Sequence, residues 1–453
     1  MVVYLQYCNI FFDIHIMHSH LTDVQLLELK STNSILPMNP PNIILKKLID
    51  KNEAFLTSLD ENPMYDAVIE AIDKRKIKIG TKWLIDFASC NYLGFDLDKE
   101  IIDAIPEYVN KWGTHPSWSR MLGSPIIYEE LENKLKHLLK AEDCLVLPNL
   151  TLTTNYCLFI LSEGGEIFLD KRSHRTLYEG AMIAKGHGTK VTYFDSNELD
   201  QLELLLKMST AHKKLICIDG VFSMHGKYPD IPKVARMARE HNALAYIDDA
   251  HGFGLVGERS ANESCPYGSK GNSIINYYGE TYENIVMVTT MSKAYSSYVA
   301  VMCCSSELKR YLKAVVAPYL YTGPVPIATL ATALKGLEVN AKRGDTIRAF
   351  IYQLSKRLAD ANTEMGLRSD NTTNFPIFNY YLKDSDQIND VAEYLFNKGI
   401  YVTLAPYPMV AKNDVGFRVQ LTAANTMEEV EYLIRTIKEL TQVFGIQSNS
   451  TTN

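Results

Sequence analysis

The feature that most constrains the fold of this chain is an alternation of strand-like and helix-like patterns across its middle. Short apolar runs typical of buried strands lie at residues 144–147, 166–169, 191–194, 215–218 and 244–247. Helical patterns lie between some of them, at residues 197–208 and 231–241. Because parallel strands are joined by crossover helices, the alternation predicts an α/β fold with a mostly parallel central sheet and helices on both faces.

Changes of pattern on either side of this region predict a division of the chain into four parts. We expect an N-terminal arm over residues 1–82, polar and helical from 18 to 80, and a large α/β domain over 83–326. A smaller C-terminal α+β domain is expected over 327–446 and a disordered polar tail over 447–453.

The smaller domain is expected to begin with a long helix after Pro326 and to end with a helix whose capping box opens at Thr426. Its strands are expected at residues 375–382, 400–404 and 417–421. In the larger domain, residues 260–283 are rich in Gly, Ser, Asn and Tyr, which predicts a surface loop or a small insertion.

Charge and cysteine content argue against several classes of partner. The 453 residues include 46 Lys and Arg against 53 Asp and Glu, and no basic run occurs, so we expect no nucleic-acid partner. Eight cysteines lack metal-ligand spacing, which predicts no metal and free thiols in a reducing, cytoplasmic location. The apolar residues 1–17 lack the charge of a signal peptide and the length of a membrane span, although a small membrane-facing or packing arm is an alternative.

The strongest candidate for chemistry is Lys293, which follows an apolar strand-like run at residues 285–288. That run ends near Thr290, and Ser292 comes directly before the lysine. Ligands of open α/β sheets bind at the carboxyl ends of the strands. An amine there can form a Schiff base while neighbouring hydroxyls hold a phosphate. Taken alone, a Ser-Lys pair is also typical of a solvated surface.

Other polar groups follow further predicted strands. Asp248 and His251 follow the run at 244–247 and could engage one flat ligand at two points, although a helix cap with a surface histidine is the common alternative. His174 could stack on an aromatic cofactor or simply be solvated. Ser223 could contact a phosphate or be a turn hydroxyl.

Taken together, these motifs give the chain a clear family likeness over about residues 83–440. It resembles the α-oxoamine synthases, fold-type I enzymes that depend on pyridoxal 5′-phosphate. The motifs, in chain order, are Asn91–Gly94, Ser119-Arg120, Asp170–His174, Val221–Met224, Asp248–Gly252, Thr290–Lys293, Tyr321–Pro326 and Leu421–Ala424.

The resemblance implies a role for each candidate on the cofactor. Lys293 would hold it as a Schiff base, Asp248 would pair with its ring nitrogen and His251 with its ring oxygen, and His174 would stack on the ring. The phosphate and ring would be contacted further by Ser223, Thr290, Ser292, Thr151, Leu152 and, from the second subunit of a homodimer, Thr322. Substrate binding would fall to Arg418, Asn91 and Arg120.

Several positions depart from the family pattern. Thr151 and Leu152 stand where the family usually has a glycine and an aromatic residue, and residues 296–298 replace a Gly-rich stretch. Cys90 precedes the Asn91 turn at a position where many members have asparagine. Ala405 stands where many members have an arginine for the substrate carboxylate, which puts the amino-acid substrate and decarboxylation in question.

The resemblance implies a homodimeric acyltransferase that condenses a small amino acid with an acyl thioester, with the active site at the subunit interface. Decarboxylation would then give an α-amino ketone. The alternatives are another reaction on the same fold, such as transamination, or a non-catalytic partner subunit, which would be expected to lack Lys293. Neither the amino acid nor the acyl donor, whether an acyl-CoA or an acyl-carrier protein, follows from these motifs.

Overall fold

A computed structural model describes residues 62–407 and 409–448, together with residues 46, 47, 49, 50, 53, 56 and 57. It divides into two compact units, Met1–Ser58 and Leu59–Asn453. In the first unit the described residues are helical. The predicted features of residues 1–45 lie outside the described residues. All elements below belong to the second unit.

The strands of this unit are short, and those in the centre are largely buried, except for one at the edge. In chain order they are β1 (Ala71–Asp73), β2 (Lys76–Ile79), β3 (Lys82–Asp86), β4 (Asp143–Leu147), β5 (Glu166–Asp170), β6 (Lys190–Phe194), β7 (Lys214–Asp219), β8 (Leu244–Asp248), β9 (Ile285–Thr290), β10 (Ala300–Cys304), β11 (Ile377–Tyr381), β12 (Ile400–Tyr401), β13 (Thr403–Ala405) and β14 (Gly416–Gln420).

The helices cover the central sheet and link it to the C-terminal strands. They are α1 (Lys99–Trp112), α2 (Ile126–Leu139), α3 (Leu150–Ser162), α4 (Arg175–Gly186), α5 (Leu199–Met208), α6 (Ile231–Glu240), α7 (Ile274–Tyr277), α8 (Ser306–Val315), α9 (Ala317–Leu320), α10 (Ile327–Glu364), α11 (Ile388–Asn397) and α12 (Met427–Val443). Two 3-10 turns lie at Ser385–Gln387 and Lys412–Asp414.

The central sheet has seven strands in the order β4-β10-β9-β8-β7-β5-β6. The strands β9, β8, β7, β5 and β6 are parallel to one another, and β10 runs antiparallel to both β4 and β9. Strands β5, β9 and β10 are buried along their whole length, as the continuous apolar runs of a sheet covered on both faces require. The predicted fold-type I, mostly parallel α/β architecture is confirmed.

The C-terminal part has its own antiparallel sheet, in the order β11-β14-β13. Helix α10 joins the two parts, because its N-terminal half packs in the core of the central sheet and its C-terminal half in the core beside β11 and β14. The division into four domains stays a prediction. Within the described ranges, no helix has both the length and the apolar character that crossing a bilayer requires.

Three predictions of secondary structure were wrong. Residues 71–79 form strands β1 and β2 rather than a helix, and β2 pairs with β3 so that Ile77 and Leu84 face the core side by side. The strand predicted at 400–404 is two strands in different sheets, since β12 pairs with β3 while β13 pairs with β14. Gln447 is not part of a free tail, because its backbone N–H donates to the carbonyl of Tyr381; residues 449–453 lie outside the described residues.

The segment 260–283 was predicted to be a surface loop or a small insertion, and it is not a surface loop throughout, because residues 271–276 are buried. Tyr267, Ile274 and Ile275 are buried in the core of the central sheet. The carboxylate of Asp249 accepts the backbone N–H of Ile274 at 2.9 Å, which ties the segment to the end of β8. Its Gly and Ser content therefore serves tight turns between buried aromatic and aliphatic anchors.

Candidate active site

A cavity of about 150 Å³ lies at the carboxyl ends of β7, β8 and β9. Since these strands are parallel, the residues that follow them meet at one edge of the sheet. Seven predicted site residues line the cavity: Lys293, Asp248, His251, His174, Thr290, Ser292 and Thr151. The remaining lining residues are Asn149, Leu150, Thr176, Asp219, Val221, Ala250 and Tyr298.

Lys293 lies in the loop that joins β9 to β10. The loop is closed by backbone hydrogen bonds from Met291 to Val299 and from Ser296 to Lys293, at 2.8 and 3.1 Å. Ser296 has a φ of 53°, in the region that favours glycine. The backbone here therefore has a conformation that suits the Gly-rich stretch of the family, although this chain has serine. The geometry directs Lys293 toward the cavity, where its charge acts on Asp248 and on both histidines.

The hydroxyls of Thr290 and Ser292 lie side by side beneath the lysine. Their oxygens are 2.9 Å apart, and the backbone N–H of Ser292 donates to the Thr290 hydroxyl at 3.1 Å. The Thr290 hydroxyl also lies 3.1 Å from the carbonyl of Val299. The Thr290 hydroxyl already donates its one proton within this network, so the Ser292 hydroxyl is the group left to donate to a small anion at this wall.

Asp248 is the last residue of β8, and its carboxyl group is buried. One carboxyl oxygen accepts the backbone N–H of Ala250 at 3.0 Å. Burial raises the pKa of Asp248, and the charges of Lys293 and His174 oppose this rise. A cationic ring nitrogen in the cavity would stabilise the ionised carboxylate in the same way.

His251 is buried and also lines the cavity. Its Nδ1 lies 2.8 Å from the hydroxyl of Tyr92, which leaves Nε2 as the second polar atom of the ring. Burial lowers the pKa of His251 well below its usual value, and the charges of Lys293 and Arg418 lower it further. The ring is therefore neutral at physiological pH.

His174 is the N-cap of α4, which fixes its ring. Its Nδ1 accepts the backbone N–H of Thr176 at 3.3 Å and lies 2.9 Å from the Thr176 hydroxyl. Its own backbone N–H donates to both carboxyl oxygens of Asp219, at 3.0 and 3.1 Å. Burial lowers the pKa of His174. A neutral ring of this kind can lie against an aromatic ligand without carrying charge.

The first turn of α3 forms one wall of the cavity. Asn149, Leu150 and Thr151 line it, so that the positive end of the helix dipole faces the cavity. Leu152 does not line the cavity, and its backbone N–H donates to the side chain of Asn149 at 2.9 Å. Of the two residues predicted for this turn, the structure brings only Thr151 to the cavity.

Four other predicted residues do not line the cavity in this chain: Ser223, Asn91, Thr322 and Arg120. Arg120 is buried in a structural cluster, where its guanidinium donates to Glu132 and to the carbonyl of Val146, at 3.0 and 2.7 Å. The Thr322 hydroxyl donates to the carbonyl of Pro318 at 2.5 Å. Their roles in binding stay predictions.

Arg418 also lies outside the cavity lining, but its charge acts on His174 and His251. It projects from β14 and donates through Nη1 to the carbonyl of Ser223, at 2.7 Å. Its Nε is buried and has no hydrogen-bond partner within the described structure. The guanidinium is thus held beside the site with donor capacity left over.

Sequence reasoning missed Asp219 as a site residue. Asp219 ends β7 directly beside Asp248 at the end of β8, and the two are paired in the strand register. Burial raises the pKa of Asp219 well above its usual value, and the charge of Asp248 adds to the rise. A carboxyl at the end of a neighbouring strand was the available signal, since the same reasoning identified Asp248.

The polar groups of the cavity fit pyridoxal phosphate. The ligand carries an aldehyde, a basic ring nitrogen, a ring hydroxyl and a phosphate. The cavity offers, in matching chemistry, the amine of Lys293, the buried carboxyl of Asp248, the imidazole of His251 and the helix start with its neighbouring hydroxyls.

Several known proteins are similar to this chain in sequence and in structure. 8-Amino-7-oxononanoate synthase from Thermosipho melanesiensis is 26% identical over 408 residues, which cover 89% of this chain and 98% of that protein. Serine palmitoyltransferase from Bacteroides thetaiotaomicron is 25% identical over 386 residues, 83% of this chain and 93% of that protein.

Among solved structures, serine palmitoyltransferase from Sphingomonas wittichii superposes with a TM-score of 0.78 at 23% identity, over 89% of this chain and 99% of that one. A variant from S. paucimobilis that holds a PLP–myriocin aldimine has a TM-score of 0.79 at 21% identity, with the same coverage. These likenesses confirm the resemblance to α-oxoamine synthases. The model of the aminotransferase class I and II family matches residues 82–437, and the chain belongs to that family.

Proposed function

We propose that this chain is a pyridoxal-phosphate-dependent C-acyltransferase that condenses a small amino acid with an acyl thioester. The observation that carries the proposal is the meeting of Lys293, Asp248, His251 and His174 in one cavity beside the start of α3. The curated relatives, which are synthases and palmitoyltransferases, support the reaction class.

Lys293 would hold the cofactor, and Asp248, His251 and His174 would orient its ring. When bound, pyridoxal phosphate supplies an electron sink for negative charge at the α-carbon of an amino acid. Asp248 serves this chemistry because an ionised carboxylate keeps a proton on a ring nitrogen beside it. Ser292 and Thr290 would orient the phosphate together with the first turn of α3.

Lys293 would also act as the base that removes the proton from the α-carbon of the amino acid, since its amine lines the cavity in which the cofactor and the amino acid would bind. The α-carbon would then form a C–C bond to the carbonyl carbon of the acyl thioester while the C–S bond breaks. The departing thiolate would take up a proton and leave as the free thiol. Loss of carbon dioxide from the product would give an α-amino ketone.

Arg418 would bind the carboxylate of the amino acid. The carbonyl of Ser223 holds one of its terminal nitrogens beside the site, where the charge of the guanidinium acts on His174 and His251. This assignment matters because, by the family resemblance, Ala405 stands where many members have an arginine for the same contact.

The absence of an arginine at Ala405 favours one rival, transamination on the same fold. A second rival, a non-catalytic partner subunit, is disfavoured by the presence of Lys293 in the cavity. The two enzymatic reactions differ in their products, because condensation releases a free thiol and transamination leaves pyridoxamine phosphate.

The test is a matrix of amino acids and thioesters. The purified protein with pyridoxal phosphate is mixed with glycine, alanine, serine or threonine and with acyl-CoA donors of increasing chain length, and free thiol and carbon dioxide are measured. Thiol release that requires one of the amino acids supports condensation. Pyridoxamine phosphate formed without thiol release, and consumed by a 2-oxo acid, would support transamination.

We further propose a cytoplasmic homodimer with the cavity at its interface. Large apolar side chains are exposed beside the cavity and in neighbouring segments, including Tyr298, Leu122 and Tyr321 at 62%, 82% and 75% exposure. Such exposed groups are typical of a surface that another subunit covers. The seven described cysteines are free thiols, which supports a reducing compartment.

A further inference from the structure

A chain of hydrogen bonds connects the cavity wall to the turn after β3. It begins at Nδ1 of His251, 2.8 Å from the Tyr92 hydroxyl, and continues to Oε1 of Gln420, 3.3 Å from the same hydroxyl. The thiol of Cys90 donates to the same Oε1 at 2.8 Å. His251, Tyr92 and Gln420 are all buried, so protein groups rather than bulk water decide where their protons lie.

The amide of Gln420 has only one favourable orientation. Its Nε2 donates to the carbonyl of Ala88 at 2.6 Å. A flipped amide would place two carbonyl oxygens against each other there and would turn an NH₂ group toward the Cys90 thiol. Oε1 is therefore a fixed acceptor that faces Tyr92.

The protons of this network can be counted. Burial raises the pKa of Tyr92, which keeps the phenol protonated, and lowers the pKa of His251, which keeps the imidazole neutral. Tyr92 therefore carries one O–H proton, and the His251 ring carries one N–H proton. If the Tyr92 hydroxyl donates to Gln420, then Nδ1–H of His251 donates to the Tyr92 oxygen and every donor has an acceptor. If the hydroxyl instead donates to Nδ1, the oxygens of Tyr92 and Gln420 face each other without a proton between them.

We propose that Gln420, acting through Tyr92, holds the proton of His251 on Nδ1 in the cofactor-free protein and thereby presents a bare Nε2 to the cavity. Gln420 and Tyr92 are positioning residues in this scheme, since neither lines the cavity. The inference concerns the protein alone and does not depend on turnover.

Its extension to the loaded enzyme rests on the proposed function. An anionic ring oxygen beside Nε2 needs a donor, so binding would favour the other tautomer. The Nδ1 proton then leaves to water, Nε2 gains a proton from water, and the Tyr92 hydroxyl rotates from Gln420 to Nδ1. The total number of protons is unchanged, and the tyrosine hydroxyl supplies the hydrogen bond that each tautomer requires.

The tautomer can be read directly by NMR of the full-length chain with ¹⁵N-labelled histidine, because protonated and bare ring nitrogens resonate far apart. The His251 signals are assigned by their loss in His251→Gln. Before cofactor is added, the wild-type protein is expected to show a proton on Nδ1 of His251. Addition of pyridoxal phosphate is expected to move the proton to Nε2.

Two substitutions and one control complete the test. Gln420→Met removes the acceptor, and Tyr92→Phe removes the hydroxyl, so each is expected to lose the Nδ1–H signal and gain the Nε2–H signal without cofactor. Cys90→Ala leaves the Tyr92–Gln420 contact in place and is expected to keep the wild-type tautomer.

A wild-type protein that already has its proton on Nε2 without cofactor would overturn the proposal. An unchanged Nδ1–H signal in either Gln420→Met or Tyr92→Phe would overturn it as well. Failure of the proposed function is a separate result, since an enzyme that releases no thiol from any substrate pair can still show the predicted tautomer in the cofactor-free state.

Discussion

Asp249 illustrates how strongly burial acts on a single residue next to the site. Its carboxyl group is fully buried and accepts the backbone N–H of Ile274, and burial raises its pKa from 3.8 to about 8. The folded protein therefore keeps a proton on Asp249 at pH values at which the unfolded chain has released it. The contribution of Asp249 to protein stability therefore falls as the pH rises between these two values.

We expect Asp249→Asn to remove this dependence, because the amide keeps an oxygen for Ile274 but does not ionise. The unfolding free energy of the wild type should fall, relative to that of the variant, by at most about 1.4 kcal/mol per pH unit between pH 5 and 8. Urea unfolding of the cofactor-free proteins at a series of pH values measures the difference. Asp390→Asn, at an exposed position of α11, is the control, and parallel pH curves for Asp249→Asn and the wild type would contradict the prediction.

Arg418 permits a second prediction at this scale. Arg418→Met should raise KM for the amino acid roughly ten- to hundredfold, because a charge-assisted contact to the substrate carboxylate is lost. KM for the acyl thioester should change much less. Arg343→Met, which breaks a contact with Asp98 instead, is the matched control. A variant of Arg418 with an unchanged KM for the amino acid would place the carboxylate contact elsewhere.

At the scale of elements, helix α12 begins with the capping box that the sequence predicts. Thr426 and Glu429 form the predicted capping box, in which the threonine side chain accepts the N–H of Glu429 and the glutamate accepts the N–H of Thr426. Thr426→Ala should lower the unfolding free energy by about 1 kcal/mol. Thr426→Ser should lower it much less, because the serine hydroxyl can make the same capping hydrogen bond. Equal stabilities for the Ala and Ser variants, measured by chemical unfolding, would show that the cap contributes little.

Elements whose pattern is local were predictable, and elements decided by distant partners were not. Strand β9 could be predicted from its apolar run and helix α12 from its capping box, because each of these signals lies within a few consecutive residues. The division of 400–405 depends on two partners far away in sequence, β3 and β14. No local pattern shows that Val402 marks the change between them.

The site shows the same limit. Lys293, Asp248 and His174 were predictable because each follows a strand, and strand ends of a parallel sheet converge. The hydrogen bond between Tyr92 and His251 joins residues 159 positions apart in the sequence, so it could not be predicted from local sequence patterns. The structural placement of Arg120 beside Glu132 is equally a product of tertiary packing.

At the scale of the whole molecule, the proposed homodimer makes a surface residue testable. Leu122→Glu should shift the protein from dimer to monomer and reduce activity, because it places a charge in an apolar surface that the second subunit would cover. Sedimentation velocity measures the change. Leu204→Glu is the control, since Leu204 is 61% exposed on α5. A wild-type protein that sediments as a monomer, or a Leu122 variant that remains dimeric, would contradict the proposed interface.

The most direct test of the central claim is to trap the cofactor on its residue. The protein is incubated with pyridoxal phosphate, reduced with borohydride, digested and analysed by mass spectrometry, with Lys293→Ala treated in parallel. We predict one phosphopyridoxyl group, on the peptide that contains Lys293, and none in the variant. A label on another lysine in the wild type, or no label at all, would contradict the assignment of this cavity as a pyridoxal-phosphate site.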